Sequence, residues 1–338
     1  MSAPAPSMFS PAALERARAL GLTLGRPNLE IFAETLLAEA RQDPRLLVVT
    51  SDSRGSARLA GFAGALPAQL IEVGIAEQNL VGIAAGLADS ARKVFAVSPA
   101  CFLAARALEQ IKNDVAYSNN PVKLVGISAG VSYGALGSTH HSLHDLAALR
   151  AINNIDIMVP ADNMETRWAV QSALSADKPV YLRFGKAPLF HIHGTAPVFR
   201  PGKAIKLRSG SDLAFVATGE TVVHALLAAA ELAAKDGMSC QVWSVPSIRP
   251  LDTEAIREAA ACDALISVEE HMVNGGLGEA CAAILLESGC RTRFRRAGIP
   301  DEYTVTGSQS DIFRHYGISM EGLAAQARAL LSGDLSRS

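Results

Sequence analysis

Short apolar runs recur along the chain, each followed by a longer segment with helical spacing. LLVVTSD (46–52), KVFAVS (93–98), VKLVGISAG (122–130) and VYLRFG (180–185) are apolar nearly throughout rather than alternating. That is the pattern of strands buried on both faces, and with helices between them it implies a parallel sheet covered above and below. NLEIFAETLLAEARQD (28–43) places Leu29, Phe32, Leu36 and Leu37 on one helical stripe, with Asn28 as the expected cap. ACFLAARALEQIKNDVAYS (100–118) and METRWAVQSALSA (164–176) read as further helices and DIMVPA (156–161) as another strand.

Residues 188–203 interrupt this rhythm with Pro188, Gly194, Pro197, Pro201 and Gly202, a composition suited to an interdomain linker. A second α/β unit follows, with strands in LAFVATG (213–219), CQVWSVPSI (240–248) and ALISVEE (264–270). The expected fold class is therefore α/β with two doubly wound domains. Their boundaries fall at 28–187 and 204–338, after an arm over 1–27 whose Pro4, Pro6 and Pro11 suggest loose attachment. Chemistry in such sheets sits at the carboxyl ends of the strands.

The chain carries 31 lysines and arginines against 33 acids, a net charge of -2, which gives no electrostatic footprint for nucleic acid or an anionic membrane. Its 5 cysteines form no CxxC pair, so neither a disulfide framework nor a zinc site is expected. No apolar run is long enough to span a bilayer and the start lacks a secretory pattern, so a cytoplasmic location is expected.

The most informative stretch is IEVGIAEQNLVGIAAGLA (71–88). A strand gives way to a helix with Glu77 in its first turn, while Gly82 and Gly86 leave a smooth strip that another backbone can approach. On spacing alone Glu77 is equally an acid favoured by the helix dipole, Phe102 a core residue, Asp52 and Ser56 turn residues and Lys186 a solvated lysine. His140, His141 and His144 lie in the glycine-punctuated GVSYGALGSTHHSLHD (130–145), and no third ligand completes a metal site. The HIH at 191–193 reads as structural.

GIAEQN, with VVTSDSRGS before it, resembles the pyrimidine-binding domain of the transketolase family. That resemblance implies thiamine diphosphate as cofactor, with Glu77 touching its aminopyrimidine. A carboxyl group donating to the ring nitrogen stabilises the imino tautomer, whose exocyclic nitrogen deprotonates the thiazolium carbon, so Glu77 has to hold or share a proton. By the same match Ile75 supports the bent cofactor, Asp52 lines the thiamine site and Phe102 stacks on the pyrimidine. Pro99 and Ala105 stand where some members present further aromatics. His140, in the GxTH pattern, faces the substrate near the reactive carbon, with His141 as a secondary candidate. Ser56 matches a serine that touches a substrate phosphate, Lys186 matches a phosphate-binding arginine, and Arg183 just before it is a further substrate-binding candidate. Glu30 stands where several members have another such arginine, which Arg26 or Arg54 would have to replace. Leu136 stands where many have an acid.

VEEHMVNGGLGEA (268–280) resembles the family's C-terminal domain, whereas the GDG motif and following asparagine that bind magnesium and the diphosphate are absent from this sequence. The resemblance therefore implies a companion chain carrying that motif and Mg2+, a two-fold heterotetramer, and transfer of a two-carbon ketol unit from a ketose, phosphorylated or sulfonated among the options, to an aldehyde. The alternatives are the β subunit of a 2-oxo acid dehydrogenase or acetoin-cleaving complex, and a non-catalytic scaffold. The THH loop favours the first reading.

Overall fold

The computed structural model describes residues 8–194 and 199–333. Pro4, Pro6 and Pro197 lie outside them. Among the described residues, seven strands form one sheet in the order 247–249, 156–158, 180–183, 123–127, 93–99, 46–50, 70–72. All neighbours are parallel except the first pair. The central strand Lys123–Ile127 is buried along its whole length: its last four residues are apolar, and Lys123 Nζ donates to the carbonyls of Ala176 and Lys178 at 2.7 and 2.9 Å.

Helices cover both faces of this sheet. Asn28–Gln42 and Asn163–Ser175 pack Phe32, Leu36 and Val170 on one side, and Glu77–Asp89 packs Leu80 and Ala84 on the other. Asn163–Ser175 starts where the Asp162 carboxylate accepts from the amides of Met164 and Glu165, both at 2.9 Å. Asn28, in contrast, does not cap its helix. It is the first helical residue, and its side-chain oxygen instead accepts from Asn163 Nδ2 at 2.9 Å. The expected helix over 100–118 is broken into Ala100–Arg106, a single turn at Leu108–Gln110 and a wider π-helical stretch, Ile111–Tyr117.

A second sheet orders its strands 293–299, 264–272, 213–217, 240–244, 205–208, with only the last antiparallel. Helix Thr221–Asp236 packs against it and ends at Gly237, whose φ of 68° supplies the left-handed residue that closes a helix. Together these elements confirm the α/β class and its two parallel sheets.

Two connecting segments are more ordered than composition suggests. Within its described part, from residue 8 on, the arm is packed: its helix Pro11–Ala19 buries Ala13 and Ala17 in the second core, and Arg16 pairs with Glu231 at 2.6 Å. Within the expected linker, Pro188–Phe190 is a strand pairing with Leu24–Pro27. Apolar burial outweighs the proline signal in both cases. Among the described residues no helix is long and apolar enough to cross a membrane.

Candidate active site

The loops that leave the carboxyl ends of the first sheet converge, and two of them are tied by one carboxylate. Glu72 accepts from the amide of Asp52 at 2.6 Å, from the amide of Gly74 at 3.1 Å and from Thr50 Oγ1 at 3.4 Å. Asp52 is held at a φ of 55°, and Gly74 at 75° gives the turn that delivers Ile75 and Glu77. Ile75 is 73% exposed although apolar. Glu77, two residues on, opens its helix and is only 3% exposed.

From Glu77 a continuous file of side chains runs across the site. Arg106 Nη1 donates to both carboxylate oxygens of Glu77, at 3.2 and 3.0 Å, and its guanidinium lies 4.3 Å above the Phe102 ring. The His140 ring meets Phe102 edge-on at 5.3 Å and Tyr133 edge-on at 5.3 Å. Lys186 Nζ then sits 3.6 Å over the Tyr133 ring. Thr139 Oγ1 lies 2.9 Å from His140 Nδ1 and fixes the imidazole's tilt between its two aromatic neighbours.

At either end of the file is a cleft. One, of about 600 Å³, is lined by Ile75, Ala76, Glu77, Gln78, Asn79 and Arg106. The other, of about 340 Å³, is lined by Pro27, Leu29, Gly55, Ser56, Arg58 and Lys186. Burial, and then the charge of Arg58, holds the Lys186 ammonium below its usual range. Two cations thus face one small cleft, an arrangement that an anion between them relieves.

The remaining expected residues behave differently. His141 is buried, with Nε2 2.8 Å from the Gly134 carbonyl and Nδ1 without a partner, and burial lowers its basicity. Arg183 does not reach the clefts. Its Nε donates to Asp145 at 2.8 Å and its Nη2 to the carbonyls of Ser142 and Glu270, at 2.9 and 3.0 Å. Burial alone would raise the Asp145 carboxyl, but Arg183 and the Tyr181 hydroxyl at 2.7 Å outweigh it and hold the acid ionised. Arg183 is therefore a buried fastener of the His140 loop. Arg26 is bound to Glu34 at 2.6 Å, and Arg54 lines neither cleft. His193 bonds Glu165 at 2.9 Å, a structural role.

Three further side chains of the site escape a reading of the sequence. Arg106 is detectable in principle, because it stands four residues after Phe102 on one helix, where side chains share a face. Arg58 is not, since its φ of 59° is set by the turn around it. Tyr133 carries no sequence signal that separates it from its loop. Among the described residues, no group of three or more His, Cys, Asp or Glu side chains is arranged to hold a metal ion.

Comparison with known proteins gives these features a family. Residues 27–190 match the family model described as transketolase, pyrimidine binding domain, and residues 202–323 match that of the transketolase C-terminal domain. A curated relative from Phocaeicola vulgatus, one of the subunits of apulose-4-phosphate transketolase, is 48% identical over 88% of this chain and 95% of its own length. The 6-deoxy-6-sulfo-D-fructose transketolase subunit SqwH of Clostridium sp. is 33% identical over 88% and 92%. A solved structure described as a split gene transketolase, inactive beta4 tetramer, superposes with a TM-score of 0.82 at 32% identity, covering 91% of this chain and 99% of that one. With both domain models matched in order and the buried glutamate at the head of its helix, the chain belongs to the transketolase family and represents the subunit that carries its pyrimidine-binding and C-terminal domains.

Proposed function

We propose that this chain supplies the pyrimidine side of a thiamine-diphosphate-dependent transketolase, moving a two-carbon ketol unit from an anionic ketose to an aldehyde at a site completed by a companion chain. The observation that carries this reading is the placement of Glu77. It is a buried carboxylate beside an open cleft, flanked by the exposed apolar Ile75 and, through Arg106, by the Phe102 ring. These residues suit an aminopyrimidine: an acid for a ring nitrogen, an apolar support and an aromatic face.

Thiamine diphosphate, when bound, supplies the nucleophilic carbon. Glu77 would hold the pyrimidine through a shared proton, Ile75 would support the cofactor and Asp52 would border it. His140, between Phe102 and Tyr133, would hydrogen-bond the substrate's carbonyl or hydroxyl oxygen and move a proton there. Ser56, Arg58 and Lys186 would grip the far anionic group, with His141 supporting the loop from beneath. Lys186 brings a compact point charge and Arg58 a planar fork of donors to this cleft, so a phosphate or a sulfonate suits it. The relatives named for a phosphorylated and a sulfonated sugar agree with that chemistry.

The companion would bring Mg2+ and the diphosphate site. Two features support it: no Cβ placed on Gly82 or Gly86 would meet another atom within 4 Å, leaving an open strip beside Glu77, and the similar split gene transketolase structure is described as an inactive β4 tetramer. A two-fold heterotetramer in the cytoplasm is the proposed assembly. The test is to titrate thiamine diphosphate and magnesium by calorimetry into this chain, the companion and their mixture, with a coupled ketol-transfer assay. Tight binding and turnover in the mixture alone are expected. Full turnover by this chain without a second polypeptide would refute the split site.

A further inference from the structure

Three residues of the second domain meet beneath the proposed substrate end of the site. Gln309 Nε2 donates one hydrogen to Glu220 Oε2 at 2.7 Å and the other to Glu270 Oε1 at 2.8 Å. The same Glu270 oxygen accepts the Val131 amide at 2.8 Å. Both carboxyl groups press on glycine backbone of the first domain. A Cβ on Gly130 would lie 2.2 Å from Glu270 Cδ, and one on Gly185 would lie 1.9 Å from Glu220 Oε1. Gly130 opens the loop that carries His140, and Gly185 immediately precedes Lys186.

The charge count around this pair is lopsided. Glu220 and Glu270 are 5% and 4% exposed. The charged groups that face them are each other, Arg183 and Asp145, and Arg183 is already matched by Asp145. His271, beside Glu270, faces Asp145 at 3.9 Å and burial lowers its basicity, so it adds no cation at neutral pH. Glu269, on the other side, is occupied by the amides of Leu277 and Gly278, at 2.7 and 2.8 Å. Two buried carboxylates on one amide bridge would repel without a proton between them.

We propose that Glu220 and Glu270 are positioning residues whose carboxyl groups, sharing one proton and bridged by Gln309, hold the His140 loop and the Lys186 turn in register. The assignment of His140 and Lys186 to substrate rests on the function proposed above; the holding of the two segments does not. Burial, and then the charge of Glu270, pushes the Glu220 carboxyl up, and burial likewise pushes Glu270 up against the opposing charge of Arg183. The native pair therefore binds more protons than the unfolded chain from about pH 4.5 upward. Its contribution declines as the pH rises from there and is gone once the shared proton is lost and both carboxyls are ionised.

The experiment is hydrogen exchange of the 128–142 segment between pH 6 and 9, corrected for the intrinsic exchange rate, in this chain and in Glu220→Gln. The wild-type segment should lose protection at least about tenfold at the alkaline end, and Glu220→Gln, which cannot ionise, should keep it. In the assembled enzyme kcat/KM should fall over the same range in wild type and stay level in Glu220→Gln. Identical exchange profiles in the two proteins would overturn the proposal. If Glu220→Gln does not fold, Gln309→Met serves instead: protection of 128–142 should already be reduced at pH 7, and an unchanged segment would equally overturn it. An inactive assembly with the expected exchange behaviour would count against the proposed function alone.

Discussion

Arg106 binds the carboxylate of Glu77 with one nitrogen shared between both oxygens, and the two partners differ sharply in burial: Glu77 is 3% exposed and Arg106 is 51% exposed. The pair should therefore respond asymmetrically to truncation. Arg106→Ala strands a buried carboxylate and should cost about 1–3 kcal/mol. Glu77→Gln leaves a cation that water can reach and should cost under about 1 kcal/mol. Chemical denaturation of the two variants compares them directly, and a larger loss in Glu77→Gln would reverse this account.

For catalysis the ranking inverts. If Glu77 manages the pyrimidine proton, Glu77→Gln keeps the shape and loses the exchange, and turnover of the assembled, cofactor-saturated enzyme should drop about 10² to 10⁴-fold. Turnover at the wild-type rate would remove Glu77 from the mechanism.

The cleft between Ser56 and Lys186 should read charge. Lys186→Ala and Arg58→Ala should each raise KM for a phosphorylated or sulfonated ketose several-fold with kcat little changed, and leave a neutral analogue almost untouched. Equal effects on charged and neutral substrates would show that these cations act through folding.

Arg183, expected at the substrate, is found at Asp145, so its removal should appear in stability first. Arg183→Ala leaves Asp145 charged and buried, which should cost about 3–5 kcal/mol in urea unfolding. A loss below about 1 kcal/mol would mean that the pair is not the fastener described above.

His224 makes the protein acid-sensitive. Its ring packs between Phe9 at 5.1 Å and Phe313 at 5.3 Å, both nitrogens lack a hydrogen-bond partner, and burial pushes the imidazole down to about 4. The unfolded chain protonates this group near pH 6.5 and the folded chain only near 4, so stability falls as the pH drops through that window. His224→Phe should flatten the dependence. Parallel Tm-against-pH curves for the two proteins between pH 4 and 6.5 would contradict it.

The sheet strands and the helix opening at Glu77 are legible in the sequence because local pattern and tertiary burial point the same way there. Asn28 misleads because its cap preference competes with a partner 135 positions away, Asn163, which no local pattern reveals. Arg183 misleads for the same reason: it sits two residues before Gly185 on a strand ending at the site, but alternation sends it into the domain interface. Glu220 and Glu270 lie in separate segments, and only folding brings them onto Gln309.

The antiparallel seat of Ser247–Arg249 on Asp156–Met158 has a consequence for synthesis. The other six strands of the first sheet are complete in sequence at Arg183, but the strand that covers its edge emerges only after most of the next strands and the helix Thr221–Asp236. At about 5–20 residues per second the nascent sheet waits several seconds with that edge unpaired. During that interval its free amides and carbonyls are a template for any neighbouring strand.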